Sequence, residues 1–392
     1  MTPRRRRRVI ESHTIARAAL RAGSGFAVVA AVWSAVVLVR GGSWWGPLHA
    51  FLAGTVLLAI SGTSQMFTVT WAAAPAPSRV AASGQRWLAI VGAAAVLVGV
   101  SRSLPALTWA GAGALAAALL LLAWSIRQSV RRSLLRRFDL SSRFYLVASM
   151  CGVVGVTLGG LLATGTAGGA FAPMRIVHSH LNLVGFVGLT IVGTLPTFLP
   201  TVAHHRAVSG REATAAWAMG AAGAVAMAAG LWTGPQAVGA GTILVGASAA
   251  SILAGILARL WRAGRKRPEF VQICLGTGWL IVWSMVDGTR LLAGAPSTAF
   301  GGWTAAAILA GVGQVLAGSL AYLLPVLAGP PLADNLARMT SRPWTPWVAA
   351  NLAGAALVTA NPEVAVAAAI LWGIDFAVRV ASLRRGPLVP SE

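Results

Sequence analysis

Long runs of apolar residues, interrupted at intervals by clusters of Arg, Gly and Pro, dominate the chain. Polar residues do not return every three or four positions, as they do on the helices of a soluble domain. A bilayer core of about 30 Å needs roughly 20 helical residues per crossing. Twelve segments meet that length: 18–40, 46–73, 86–103, 106–128, 143–166, 174–203, 213–233, 236–260, 269–291, 301–328, 344–361 and 363–383. Short turns such as Gly41-Gly42-Ser43, Gly234-Pro235, Gly329-Pro330-Pro331 and Asn361-Pro362 separate them. The pattern predicts an all-α polytopic membrane protein. It has a basic tail over 1–17 and a single transmembrane domain over 18–385, with no separate soluble domain.

Composition excludes the soluble alternative. Of 392 residues, 57% are hydrophobic and 10% charged, against about 25% charged in an ordinary soluble domain. The net charge is +22, and all but one of the 31 basic residues are Arg. In a membrane protein that excess is a topology signal, not the footprint of a nucleic-acid binder. With the N-terminus inside, 27 of the 31 basic residues fall on the inner side. Both termini are therefore expected in the cytoplasm, and the protein in the inner (plasma) membrane. The five consecutive Arg of Arg4 to Arg8 precede no short apolar core with a cleavage site, so the tail reads as retained. Cys151 and Cys274 lie in apolar runs, with neither disulfide nor metal spacing.

The chain also repeats. His49, Gly54, Gly62 and Thr63 recur as His180, Gly185, Gly193 and Thr194 at a constant offset of 131. Gly188, Gly193 and Pro200 recur as Gly313, Gly318 and Pro325 at an offset of 125. These are the second, sixth and tenth helices. Three pseudo-symmetric four-helix units follow, roughly 18–128, 143–260 and 269–383. In the third, Ala305 stands where His180 would be.

Candidate chemistry lies with His. His49, His178 and His180 fall in the first turns of helices 2 and 6, on the outer side by the charge count. An imidazole at membrane depth needs a partner, and neutral His is a common ligand of haem iron and copper. His49 and His180 occupy matching repeat positions and form the leading ligand pair, with Gly54 and Gly185 expected to make room further in. His178 stands two residues from His180, about 200° round an α-helix. A copper site using all three His needs an irregular helix there. His13 lies in the tail, and His204 and His205 read as interfacial. Asp287 and Arg290 are spaced for an i,i+3 pair, or to hold propionates or an anion. Asp375 and Arg379 suit an i,i+4 pair. Glu212, Glu269 and Glu363 sit at loop edges. Trp44, Trp45, Trp109, Trp344 and Trp347 read as an aromatic belt. No motif of a nucleotide-binding loop, serine hydrolase, zinc protease or c-type haem is present, so the motifs leave enzyme or non-enzyme open.

The stretch His178-Ser-His-Leu-Asn-Leu-Val-Gly-Phe-Val-Gly-Leu-Thr-Ile-Val-Gly-Thr-Leu, with Trp44 to Trp71, resembles divergent members of the haem-copper oxidase subunit I family. These include NnrS-like membrane proteins and the membrane part of actinobacterial proteins labelled copper oxidases. The resemblance implies haem b or copper as cofactor. It implies electron transfer between quinol and an extracytoplasmic cupredoxin or copper enzyme, or nitric-oxide tolerance. Copper or haem handling and a cofactor-free scaffold are the alternatives. His49 matches the family's helix 2 haem ligand. The family's ligands on helices 7 and 10 have no counterpart, since no His follows His205. A complete oxygen-reduction site is therefore not expected.

Overall fold

The computed structural model describes residues 3–133, 138–204, 211–260 and 267–384. Among these the protein is all-α. The helices are α1 (Pro3–Arg40), α2 (Trp45–His49), α3 (Leu57–Trp71), α4 (Arg79–Ser101), α5 (Pro105–Arg131), α6 (Asp139–Ala163), α7 (Phe171–His180) and α8 (Leu189–Val202). They continue with α9 (Arg211–Thr233), α10 (Pro235–Leu260), α11 (Pro268–Leu292), α12 (Gly302–Ala306), α13 (Gln314–Ala328), α14 (Leu332–Thr340), α15 (Trp344–Val358) and α16 (Pro362–Ala381). Eleven continuous helical stretches among the described residues are long and apolar enough to cross a membrane. The expected twelfth, 344–361, is helical but stops at Val358 after 15 residues. Pro362 opens the next helix, and Ala360 takes a left-handed φ of 57° before it.

Helices 2, 6 and 10 share a feature that the apolar pattern does not display. Each passes through a π-helical segment, at Ala50–Val56, Leu181–Gly188 and Ala307–Gly313. The first two begin immediately after His49 and His180, so they keep the offset of 131. A π segment inserts an extra residue into a helix and is common at functional sites.

The chain forms two compact units, Met1–Gly193 with Met227–Gly234, and Thr194–Ala226 with Pro235–Glu392. In the first, α1 packs along α3 and the π segment before it. Small residues permit the approach. The Thr55 hydroxyl donates to Gly23 O at 3.1 Å, and Gly62 lies against Ala16 and Ala19. The residues expected as a basic tail form the start of α1, whose 38 residues span about 57 Å. Arg7 pairs with Glu11 at 2.8 Å, Arg8 donates to Ala73 O, and Ser12 and Ala16 are buried. Helices α4, α5 and α6 follow as successive antiparallel neighbours, and α6 packs on α7 and the Leu181–Gly188 segment.

In the second unit, α10 packs on α11 through Gly239 and Gly288, and α11 on α13 through Gly276 and Gly318. Asp287 is 0% exposed and accepts from Ser297 Oγ at 3.0 Å, Thr298 Oγ1 at 2.6 Å and the Thr298 backbone N–H. It staples the loop after α11. Arg290 Nε donates to Pro296 O at 3.1 Å in the same loop. The Asp375–Arg379 pair forms at 2.6 Å, and Arg379 also donates to Met339 O and Arg342 O. That clamp, with Asn335 bonded to Arg384 N and O, fastens the short helix α14 to α16. Glu269 is not at an open loop edge. It is buried, with Arg267 3.7 Å away.

Candidate functional site

His49 ends α2, and His178 and His180 lie in the last turn of α7. All three belong to the first unit. The imidazoles of His49 and His178 stand near-parallel, with ring centroids 6.4 Å apart and an interplanar angle of 16°. Both are half-buried, whereas His180 is 0% exposed. The structure therefore sets His178, rather than the repeat-matched His180, beside His49. His178 packs on α6, where its ring lies against Gly159 and bonds to Gly155 O.

The proton positions follow from the partners. Nδ1 of His49 donates to Trp45 O at 2.8 Å, and Nδ1 of His178 donates to Gly155 O at 2.7 Å. Nδ1 of His180 donates to Ile176 O at 2.8 Å. A carbonyl oxygen only accepts, so each Nδ1 carries the hydrogen. The lone pair of each neutral ring is then on Nε2. Metal-binding His characteristically has its second nitrogen tied in this way.

Three further residues shape the pair. The Trp45 indole stacks on the His49 ring with centroids 4.4 Å apart and planes 24° apart. Trp45 is thus occupied at the site, while Trp44 and Trp344 are exposed as belt residues. Asn182 Nδ2 donates to His178 O at 2.8 Å and fills the space over Gly155, where a Cβ would meet it at 2.4 Å. Gly159 leaves space for the His178 ring, since a Cβ there would stand 2.8 Å from Cε1. Trp45 lies four residues before His49, and Asn182 four after His178. That spacing places each on the face of its His and was the available signal.

Two expectations change. Gly54 and Gly185 do make room, but Phe26 and Cys151 take it: a Cβ would meet Phe26 Cγ at 2.4 Å and Cys151 Cβ at 2.8 Å. They are helix-packing positions, not the walls of a cofactor slot. His178 also takes the place beside His49 that the leading pair gave to His180. Among the described residues no three His, Cys, Asp or Glu side chains gather as a metal-binding group. His204 closes α8, where its left-handed φ of 57° ends the helix. His205 and the side chain of Glu212 lie outside the described residues. His13, placed by the sequence in the basic tail, has its Nδ1 buried on α1. Cys151 and Cys274 are free thiols.

The fold and its apolar helices define a multi-pass, all-α membrane protein. The chain matches no protein-family model, and no curated protein matches it.

Proposed function

We propose that this membrane protein holds one copper ion between His49 and His178, on the outer side of the bilayer. The observation that carries the proposal is the spacing of the pair. Two imidazoles this close, each keeping an Nε2 lone pair, are the kind of donor pair that would share one ion. The rings stand 6.4 Å apart, each with Nδ1 anchored on a carbonyl. The bound metal supplies soft Lewis acidity and one-electron chemistry. The protein's own contribution is two Nε2 lone pairs, held by Trp45 O and Gly155 O. A two-nitrogen set suits copper(I) and lacks the tetragonal set that copper(II) prefers. It therefore supports holding and passing on copper more than cycling it for electron transfer. The resemblance to copper oxidase-like proteins supports an extracytoplasmic copper protein as partner, and quinol remains the electron source if the ion does cycle.

A second reading has one observation in its favour. The same pair of imidazoles would also supply two nitrogen ligands to one haem iron. The filled spaces at Gly54 and Gly185 weigh against a macrocycle in the slot the repeat suggested. Metal analysis and visible spectra of the purified protein decide. Copper at one per chain, lost in His49→Ala and His178→Ala but kept in His180→Ala, is the expected result. A low-spin haem spectrum with the same mutant pattern establishes the second reading. Neither cofactor in copper-replete, haem-replete protein refutes both and leaves a scaffold.

A further inference from the structure

We infer that Trp45 is a specificity-determining residue, whose indole face covers the ion held by His49 and selects copper(I) over divalent metals. The inference rests on the two-histidine copper assignment above. Its geometry is independent of the His178 contact. The backbone carbonyl of Trp45 fixes His49 Nδ1, so Nε2 points away from that carbonyl with the ring plane set. An ion on Nε2 lies in the imidazole plane, about 3 Å from the ring centre. The indole plane runs within 24° of that plane at a centroid separation of 4.4 Å. The indole face thus lies over the ring whose Nε2 would carry the ion, and a cation–π contact of up to ~6 Å is the interaction it would offer.

The packing around Trp45 keeps the face in place. Gly46, the next residue, lies against the Trp33 ring of α1, where a Cβ would meet Cζ2 at 2.3 Å. Ala50 and Leu97 are buried nearby, with Trp33, Trp45 and Phe51 packed against them. The choice of metal follows from the donors. Zinc takes four N, S or O ligands, and no group of three His, Cys, Asp or Glu is found among the described residues. Two imidazoles and a π face are neutral donors, and none of the three brings a negative charge to balance a second positive one. A monovalent soft ion is the charge state such a site retains.

Silver(I), a redox-inert stand-in for copper(I), tests this with the full-length protein in detergent. Affinity is read by calorimetry, and the indole environment by ultraviolet difference absorption, with zinc(II) as the divalent comparison. Trp45→Leu keeps the backbone carbonyl and removes the ring. Trp45→Phe keeps a weaker π face and guards against a folding defect. Silver(I) should bind the wild type, with an indole difference signal, and zinc(II) far more weakly. Trp45→Leu should bind silver(I) about tenfold more weakly and lose the signal, with Trp45→Phe between the two. Silver(I) affinity within twofold of wild type in Trp45→Leu, or an unchanged signal, overturns the role of Trp45 while the histidine site stands. No silver(I) binding by the wild type overturns the histidine site and this inference together.

Discussion

Gly159→Ala should weaken the proposed copper site without touching either of its two histidines. Gly159 lies on α6, one turn beyond the Gly155 whose carbonyl holds His178. A Cβ at Gly159 would stand 2.8 Å from His178 Cε1 and 3.2 Å from Nδ1. Ordinary carbon contacts are about 3.5–4.0 Å, so the ring must retreat by about 1 Å. The ring is rigid, and its retreat stretches the 2.7 Å bond to Gly155 O and alters the 6.4 Å spacing to His49. Metal–nitrogen distances tolerate only about 0.2 Å. Copper(I) affinity should therefore fall about 10- to 100-fold, the range for losing an outer support of a ligand. Stability should move little. Alanine in a helix gains about 1 kcal/mol over glycine, and the overpacking costs about 1–3 kcal/mol. The net change is a loss of at most about 2 kcal/mol. Gly113→Ala in α5 is the control, because a Cβ there meets nothing within 4 Å. It gains the same helix propensity with no clash. Chelator-competition titrations of copper(I), alongside thermal unfolding in detergent, give both quantities. Wild-type affinity in Gly159→Ala, or an equal loss in Gly113→Ala, refutes the steric argument.

Asp287→Ala should cost about 3 kcal/mol or more, because three donors from Ser297 and Thr298 lose a charged acceptor. Asp287→Asn keeps an acceptor and should cost about half as much. Hydrogen exchange of residues 293–301 and thermal unfolding report both, and an Asp287→Ala protein as stable as wild type sinks the staple. On topology, a reporter active only outside the cytoplasm should work when inserted at Gly41-Gly42-Ser43 and stay silent when fused after Glu392. Activity after Glu392 contradicts cytoplasmic termini.

The helices were legible in the sequence because lipid demands apolar length, and length is visible in one dimension. The repeat was legible because helix-packing glycines leave no alternative residue at close approach, as Gly62 shows against Ala19. The π segments were not, since a change from i+4 to i+5 bonding leaves an all-apolar run unchanged. The helical start of α1 was not legible because apolar sequence begins only near Ala18. Its order comes from tertiary contacts, with Arg8 on Ala73 O and Ser12 and Ala16 buried. Within the site, the three His were legible by type and depth. Their pairing was not, because sequence spacing says that His178 and His180 face apart without saying which one faces helix 2. Gly159 on another helix makes that choice by leaving His178 a slot, with Gly155 O as its anchor.

The π segments also separate what belongs to the fold from what belongs to the site. If metal ligation were the cause of the helical irregularity, it would vanish where the ligands vanish. It does not. Ala307–Gly313 is π-helical in the third repeat, where Ala305 and Ala306 precede it and no His is near in sequence. The irregularity is thus a property of the repeated scaffold, present whether or not an imidazole precedes it. The copper site we propose occupies one place on that scaffold, at His49, His178, Trp45 and the α6 glycines. A likeness in helix number and repeat pattern therefore bears on the fold, and only those four elements bear on what the protein binds.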